Sequence, residues 1–79
     1  MKKIVIVTGG AGFVGTNLIN ELIKRTNLKI LSIDNYSSGS KKNHILNSRV
    51  KYIKLNTRNI EKKLNPIKKK IHTIFHFGE

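Results

Sequence analysis

The N-terminal segment joins a stiff stretch of chain to a flexible one. A run of β-branched residues, IVIV, is followed directly by TGGAGFVG. β-branched residues favour buried strands of a parallel sheet, so we expect a strand over Lys3–Val7. From Phe13 to Arg25 apolar residues recur every three or four positions, which predicts an amphipathic helix. Because glycine adopts backbone angles that other residues avoid, the segment between them predicts a sharp turn from strand to helix.

The rest of the chain alternates between short apolar runs and polar segments. The periodicity predicts strands over Lys29–Ile33, Val50–Leu55 and Ile71–Phe77, and short helices over Lys42–Leu46 and Asn59–Leu64. Pro66 disfavours a helix at the residue before it, so we expect an irregular basic turn before the last strand. Such alternation is typical of α/β proteins. We expect a partial Rossmann fold, with a parallel sheet of about four strands in the order 3-2-1-4 and flanking helices.

The glycine segment has the spacing of a phosphate-binding turn. Gly9, Gly12 and Gly15 stand at three-residue intervals, and a reading from Gly10 also fits G-x-G-x-x-G. At this place the free N–H groups and the dipole of a helix N-terminus favour a pyrophosphate. We expect Gly9 and Gly10 to permit the turn, Gly12 to leave room for the ligand, and Gly15 to let the helix pack close to the sheet.

Asp34 supplies the second half of a dinucleotide signature. It ends the predicted second strand, at about the 20-residue spacing from the last glycine that this signature requires. A carboxylate there accepts hydrogen bonds from the adenosine ribose and repels the extra phosphate of NADP, so NAD is the expected cofactor. Alternatively, Asp34 only begins the turn, as aspartate often does.

Composition limits the other classes of function. The net charge of +12 suits anionic ligands, but the lysines are spread over predicted helices and loops, with Tyr52 as the one aromatic residue among those at 41–70. This arrangement argues against a nucleic-acid interface. The chain has no cysteine, which excludes disulfides and thiolate metal sites and suits a cytoplasmic protein. No apolar run approaches the roughly 18 residues of a membrane span, so we expect no membrane partner.

Three motifs, VTGGAGFVG, DNYSSG and IFHFGE, occur in this order. Together they resemble the N-terminal half of the extended short-chain dehydrogenase/reductase family, and within it the NAD-dependent nucleotide-sugar epimerases and dehydratases, such as UDP-glucose 4-epimerases. The resemblance implies that residues 1–79 are the N-terminal part of an NAD(P)-binding Rossmann domain, truncated before its catalytic and substrate-binding parts. It also implies that the full-length parent enzyme is a homodimer. Only that parent, and not the 79-residue chain, would bind the nucleotide sugar.

The resemblance assigns a cofactor-binding role to fourteen positions. Those at the pyrophosphate are Gly9, Gly12 and Gly15, with the backbones of Phe13 and Val14 beside them. Those at the adenosine are Asp34 on the ribose, then Asn35, Ser37, Ser38 and Gly39, and finally Asn56 and Thr57, where the family usually has an aspartate and an aliphatic residue. Those at the nicotinamide ribose are Phe77 and Gly78.

The family's catalytic pair is absent from this sequence. In the family, a tyrosine followed four positions later by a lysine carries the proton transfer, whereas here Tyr36 is followed at that spacing by Ser40 and Tyr52 by Asn56. We therefore expect a NAD-binding segment that is inactive alone. Two alternatives stay open: a stand-alone, non-catalytic nucleotide-binding module, and a basic nucleic-acid-binding domain.

Two histidines fall on the predicted last strand, His72 and His76. Histidines on a buried strand are usually packed and hydrogen-bonded residues of the core, and we expect that role here. Four residues of strand separate the two side chains by roughly 13 Å, which is too far to share a metal ion. No metal site is therefore predicted, and, because the tyrosine–lysine pair is absent, no catalytic residue is predicted either.

Overall fold

The computed structural model describes residues 3–37 and 39–77 and contains a four-stranded sheet. Its strands are β1 (Ile4–Thr8), β2 (Lys29–Asp34), β3 (Val50–Lys54) and β4 (Ile71–His76). They are all parallel and lie in the order β3-β2-β1-β4, which confirms the predicted topology. Ser38 and Gly78, two of the predicted cofactor contacts, lie outside the described residues.

The helices connect these strands and cover parts of both faces of the sheet. Helix α1 (Phe13–Arg25) joins β1 to β2, and α2 (Ile60–Leu64) lies between β3 and β4. The strand residues alternate between two core clusters, since neighbouring side chains of a strand point to opposite faces. One cluster contains Val5, Val7, Ile19 and Ile30, and the other contains Ile6, Leu31, Ile33 and Leu64.

Two of the predicted segments between strands were wrong. The predicted helix over Lys42–Leu46 is only a 3₁₀ turn, Lys41–Asn43. Farther on, the backbone N–H of Ile45 donates to the Tyr52 hydroxyl at 2.8 Å, so a side chain on β3 takes the bond that a helix would have used. The expected irregular turn at 65–70 is a separate 3₁₀ helix, Asn65–Lys70, which begins directly after α2. Pro66 is tolerated because it stands in the first turn, where no N–H is required.

One arginine ties the amino ends of the strands to α1. The Arg49 guanidinium lies just before β3 and donates to three backbone carbonyls, at 2.7 Å, 2.6 Å and 3.2 Å: those of Ile23, Thr26 and Leu28. These carbonyls belong to the end of α1 and the loop that follows it. A cation suits the negative end of a helix dipole, so Arg49 closes this end of the molecule. Within the described ranges, every helix is too short or too polar to cross a membrane.

Candidate functional site

The carboxyl ends of β1 and β2 lie side by side, and the glycine turn connects the end of β1 to α1. Gly9 has a positive φ of 74°, as the sequence predicts, whereas the same expectation for Gly10 was wrong, since its φ is not positive. Its N–H donates to the Ile33 carbonyl on β2 at 2.7 Å, and the Gly12 N–H donates back to the Gly9 carbonyl at 3.1 Å. The chain thus reverses within a few residues, and α1 begins directly above the end of β1.

Gly10 and Gly15 are required by close packing rather than by backbone angle. A Cβ at Gly10 would lie 1.9 Å from the Ser32 hydroxyl oxygen, and one at Gly15 would lie 2.2 Å from the Gly9 carbonyl oxygen. Gly15 therefore packs α1 against the turn itself, rather than against the sheet as predicted. A Cβ at Gly12 would meet only the Gly9 oxygen, at 3.4 Å, so nothing within the described structure excludes a side chain there.

The N-terminus of α1 is open to solvent. Gly12 is its N-cap and provides no side-chain acceptor, and the first turn contains no acidic residue. The first backbone N–H groups of a helix have no partner within the helix, so they can receive an anion. Phe13 and Val14, which open the periodic apolar segment that predicts this helix, are 81% and 57% exposed rather than buried with its other apolar residues. They lie in the first turn of the helix, and no element among the described residues covers them.

Asp34 is buried at the end of β2, and both carboxylate oxygens bind backbone N–H groups. Oδ2 accepts from Ala11 at 3.0 Å and Oδ1 accepts from Tyr36 at 2.8 Å. The sequence predicted the position of this side chain but not its bond to the glycine turn. A carboxylate oxygen can accept two hydrogen bonds, so each oxygen retains capacity for a ligand hydroxyl.

The loop after β2 also binds the glycine turn through Ala11. The Ala11 carbonyl accepts from the Ser40 N–H at 3.1 Å and from the Asn43 side-chain amide at 2.8 Å. A Cβ on Gly39 would lie 2.7 Å from Oδ2 of Asp34, so the loop passes close to the carboxylate. Sequence reasoning missed Asn43, because an asparagine in a polar loop carries no signal for a contact 32 positions away.

The other predicted cofactor residues lie around the same edge of the sheet. Asn35 and Asn56 are exposed and each closes a local turn, since their side-chain oxygens accept from the Ser37 and Arg58 N–H groups. Thr57 begins the 3₁₀ helix Thr57–Asn59. These three positions follow β2 and β3, which are neighbours in the sheet, so they lie on the same side of the glycine turn.

The end of β4 completes this edge on the opposite side of β1. The N–H of Phe77 donates to the carbonyl and to the hydroxyl oxygen of Thr8, both at 3.1 Å. His76 and His72 are exposed, so the prediction that they are core residues was wrong. The two histidines alternate with inward-facing residues on an edge strand, and Nδ1 of His76 lies 2.8 Å from the Thr8 hydroxyl oxygen.

Behind Asp34 the structure contains a tyrosine with a perturbed acidity. Burial raises the pKa of Tyr36 above its ordinary value of 10.0, and the nearby Asp34 and Tyr52 raise it further. The hydroxyl therefore keeps its proton to a higher pH than that of an ordinary tyrosine. No group of three or more potential metal ligands occurs in the part of the chain that the structure describes.

These features fit the adenosine and pyrophosphate parts of a dinucleotide. An uncapped helix N-terminus lies beside a buried carboxylate that can still accept hydrogen bonds, and a short backbone segment around Ala11 joins the two. Gly10, Gly15 and Gly39 stand at positions around this site where a Cβ would collide with other atoms of the protein. Anion binding and ribose recognition are therefore the chemistry that this edge can perform.

The sequence of this chain is similar to those of known proteins. Residues 5–79 match the model of the NAD dependent epimerase/dehydratase family. The ADP-L-glycero-D-manno-heptose-6-epimerase of Alkalilimnicola ehrlichii is 49% identical over 37 residues, which cover 47% of this chain and 12% of that protein. The chain thus spans only a small part of the length of the relatives that it matches.

Solved structures agree with this result. An epimerase from Methanothermobacter thermautotrophicus is 32% identical with a TM-score of 0.81, over 95% of this chain and 22% of that one. The dTDP-glucose 4,6-dehydratase of Bacillus anthracis, solved in complex with NAD, is 28% identical with a TM-score of 0.80, over 94% of this chain and 26% of that one. The chain therefore belongs to the NAD-dependent epimerase/dehydratase family.

Proposed function

We propose that this chain binds NAD, as the N-terminal part of the Rossmann domain of a nucleotide-sugar epimerase or dehydratase. The observation that carries the proposal is the convergence of the open α1 N-terminus and the buried Asp34 carboxylate on the backbone of Ala11. One group suits a pyrophosphate and the other suits ribose hydroxyls, and a dinucleotide contains both. The heptose epimerase and the dTDP-glucose dehydratase are each named for a sugar carried on a nucleotide, which supports the substrate class of the longer protein.

The proposed contacts divide the edge of the sheet into three regions. The turn from Gly9 to Gly15, with the exposed Phe13 and Val14, takes the pyrophosphate. Asp34 and the loop after it take the adenosine, together with Asn56 and Thr57 at the end of β3. Phe77, at the end of β4, lies on the nicotinamide side. When bound, NAD supplies hydride transfer to and from the sugar, and the residues of this chain only hold and orient it.

Catalysis is not proposed for these residues alone. The 79 residues contain no tyrosine followed four positions later by a lysine, and neither His72 nor His76 is placed as a substitute. The exposed His76 is hydrogen-bonded to Thr8, and the exposed His72 is 2.7 Å from the Thr73 hydroxyl oxygen. We propose that the proton transfer resides in other parts of the longer protein.

Calorimetry of the 79-residue chain with NAD, NADP and an oligonucleotide tests the proposal. We expect NAD to bind more tightly than NADP, because the Asp34 carboxylate repels the additional phosphate. Asp34→Asn should weaken NAD binding and reduce the preference over NADP. Glu21→Gln removes the same charge at an exposed position of α1, where Glu21 pairs with Arg25, and should leave both affinities unchanged.

Two results would contradict the proposal. The first is a folded chain that binds NAD and NADP equally and responds identically to both substitutions. The second is salt-sensitive binding of the oligonucleotide with no binding of NAD, which is the behaviour of a basic nucleic-acid-binding domain.

A further inference from the structure

Three aromatic side chains are in contact behind the Asp34 turn. The Tyr36 hydroxyl oxygen lies 2.5 Å from Nε2 of His44. The His44 ring stacks on the Tyr52 ring, with centroids 3.8 Å apart and planes 9° from parallel. We call these three residues the aromatic brace. It runs from β3, which carries Tyr52, to the turn that follows β2.

Tyr36, one member of the aromatic brace, has an unfavourable backbone conformation. Tyr36 has a φ of 62°, and it is the one residue other than glycine with a positive φ among those described. A tyrosine rarely adopts this left-handed region. In this conformation its N–H donates to Oδ1 of Asp34 at 2.8 Å, while its side chain reaches His44. The backbone and the side chain of Tyr36 therefore link the carboxylate to the brace.

His44 is held from two directions, which makes it a suitable anchor. Its ring lies between Tyr36 and Tyr52, and the next residue, Ile45, donates its N–H to the Tyr52 hydroxyl at 2.8 Å. The loop is thus fastened to a strand by one stacking contact and one hydrogen bond. Because β3 pairs along its length with β2, the strand gives the loop a fixed reference.

We propose that Tyr36, His44 and Tyr52 are positioning residues for the adenosine side of the site. They hold the turn after β2 in the conformation in which Asp34 is aligned with the glycine turn, and so they set the affinity for adenosine-containing ligands. This inference rests on the proposed function. None of the three needs to touch the ligand, since their effect passes through the Tyr36 backbone to the carboxylate.

The expected effect follows from the population of the aligned loop. A ligand that binds only the aligned conformation loses affinity in proportion to the fraction of molecules that hold it. Loss of one ordinary hydrogen bond shifts the equilibrium between the aligned and the displaced loop about fivefold, so the affinity falls by up to that factor. Inorganic pyrophosphate should lose less affinity than ADP-ribose, because it binds the helix N-terminus and is reached by the loop only through the bond between Asp34 and the Ala11 N–H.

The test uses two substitutions that remove the same hydrogen bond from opposite sides. Tyr36→Phe deletes the hydroxyl, and His44→Phe deletes the ring nitrogen but keeps a ring to stack on Tyr52. The matched control is His72→Phe, at an exposed histidine on β4. Affinities for NAD, ADP-ribose and inorganic pyrophosphate are measured by titration of the backbone amide signals of Ala11 and Gly12.

We expect each brace variant to bind ADP-ribose more weakly than wild type, by up to about fivefold, with a smaller loss for pyrophosphate and no loss in the control. The double variant should lose no more than either single one, since both remove one contact. Hydrogen exchange at the Tyr36 amide should become faster, and this measurement needs no ligand.

The outcomes separate this inference from the proposed function. Wild-type affinity for ADP-ribose in both brace variants, with NAD bound normally, overturns the inference alone. Equal losses for ADP-ribose and pyrophosphate assign a general structural role and also overturn it. If wild type and control both fail to bind NAD while folded, the proposed function fails and the inference fails with it.

Discussion

Gly15→Ala is the substitution for which the structure makes the sharpest prediction, because two known effects oppose each other. Alanine is favoured over glycine within a helix by about 1 kcal/mol. Against this, the new Cβ would lie 2.2 Å from the Gly9 oxygen, 2.7 Å from the Gly10 Cα and 2.9 Å from the Gly9 carbonyl carbon. All three are backbone atoms of a turn that is hydrogen-bonded to β2, so none can rotate away.

The magnitude follows from the overlap. Relief of the closest contact requires a movement of roughly 1 Å, and such overpacking costs typically about 1–3 kcal/mol. With no side chain able to yield, we take the upper part of that range and subtract the gain in helix propensity. The net loss is about 1–2 kcal/mol, which corresponds to roughly 4–16 °C in the unfolding temperature of a domain of this size.

Gly12→Ala is the matched control. The same methyl group there meets one atom at 3.4 Å, and the φ of −84° suits alanine. We expect a loss of no more than about 1 kcal/mol, from the poorer N-cap, together with weaker NAD binding. Thermal unfolding followed by circular dichroism compares the two variants. If Gly15→Ala unfolds at or above the wild-type temperature, or if Gly12→Ala is destabilised equally, the packing argument is refuted.

Three further predictions follow from contacts outside the glycine turn. Arg49→Ala should lower the free energy of unfolding by about 2 kcal/mol, because three carbonyls lose a charged donor; denaturant titration measures it, and Arg49→Lys should recover only part. We expect the edge strand β4 to make the chain self-associate, and Ile74→Lys to reduce this association in analytical ultracentrifugation, because the 52% exposed side chain lies on that strand; a monomeric wild type or an unchanged association would contradict this. Stability should fall as pH rises above about 10, since the raised pKa of Tyr36 lets the folded chain keep a proton that the unfolded chain loses. Tyr36→Phe should flatten that fall in a series of denaturant titrations, and an identical slope would exclude it.

Local patterns were enough to predict most of the fold. The bounds of α1 match the periodic segment at both ends, and the parallel strand order follows from the alternation of elements. The positive φ of Gly9 was also predictable, because a strand that turns directly into a helix requires it. These features depend on residues close together in the sequence, where propensity and spacing contain the necessary information.

Contacts between distant loops could not be predicted in the same way. Arg49 binds carbonyls more than twenty positions away, and His44 and Tyr52 meet only after β3 pairs with β2. The sequence around His44 predicted a weak helix. In the structure, His44 instead bonds to the Tyr36 hydroxyl, and the N–H of Ile45 donates to the Tyr52 hydroxyl. Neither an arginine before a strand nor a histidine in a polar loop identifies its partner, since many other geometries suit the same residue.

Ala11 shows why the candidate site behaves as one unit. Its side chain plays no part in the glycine motif, yet its N–H binds Asp34 and its carbonyl binds Ser40 and Asn43. The carboxylate that suits the ribose therefore also fixes the turn that suits the pyrophosphate. An asparagine in place of Asp34 would face two N–H donors with only one acceptor, and an unsatisfied donor costs about 1–3 kcal/mol. Ribose recognition and turn geometry are thus coupled through a backbone that no motif describes, and a loss of NAD affinity at Asp34 has two causes, a missing ligand contact and a displaced turn.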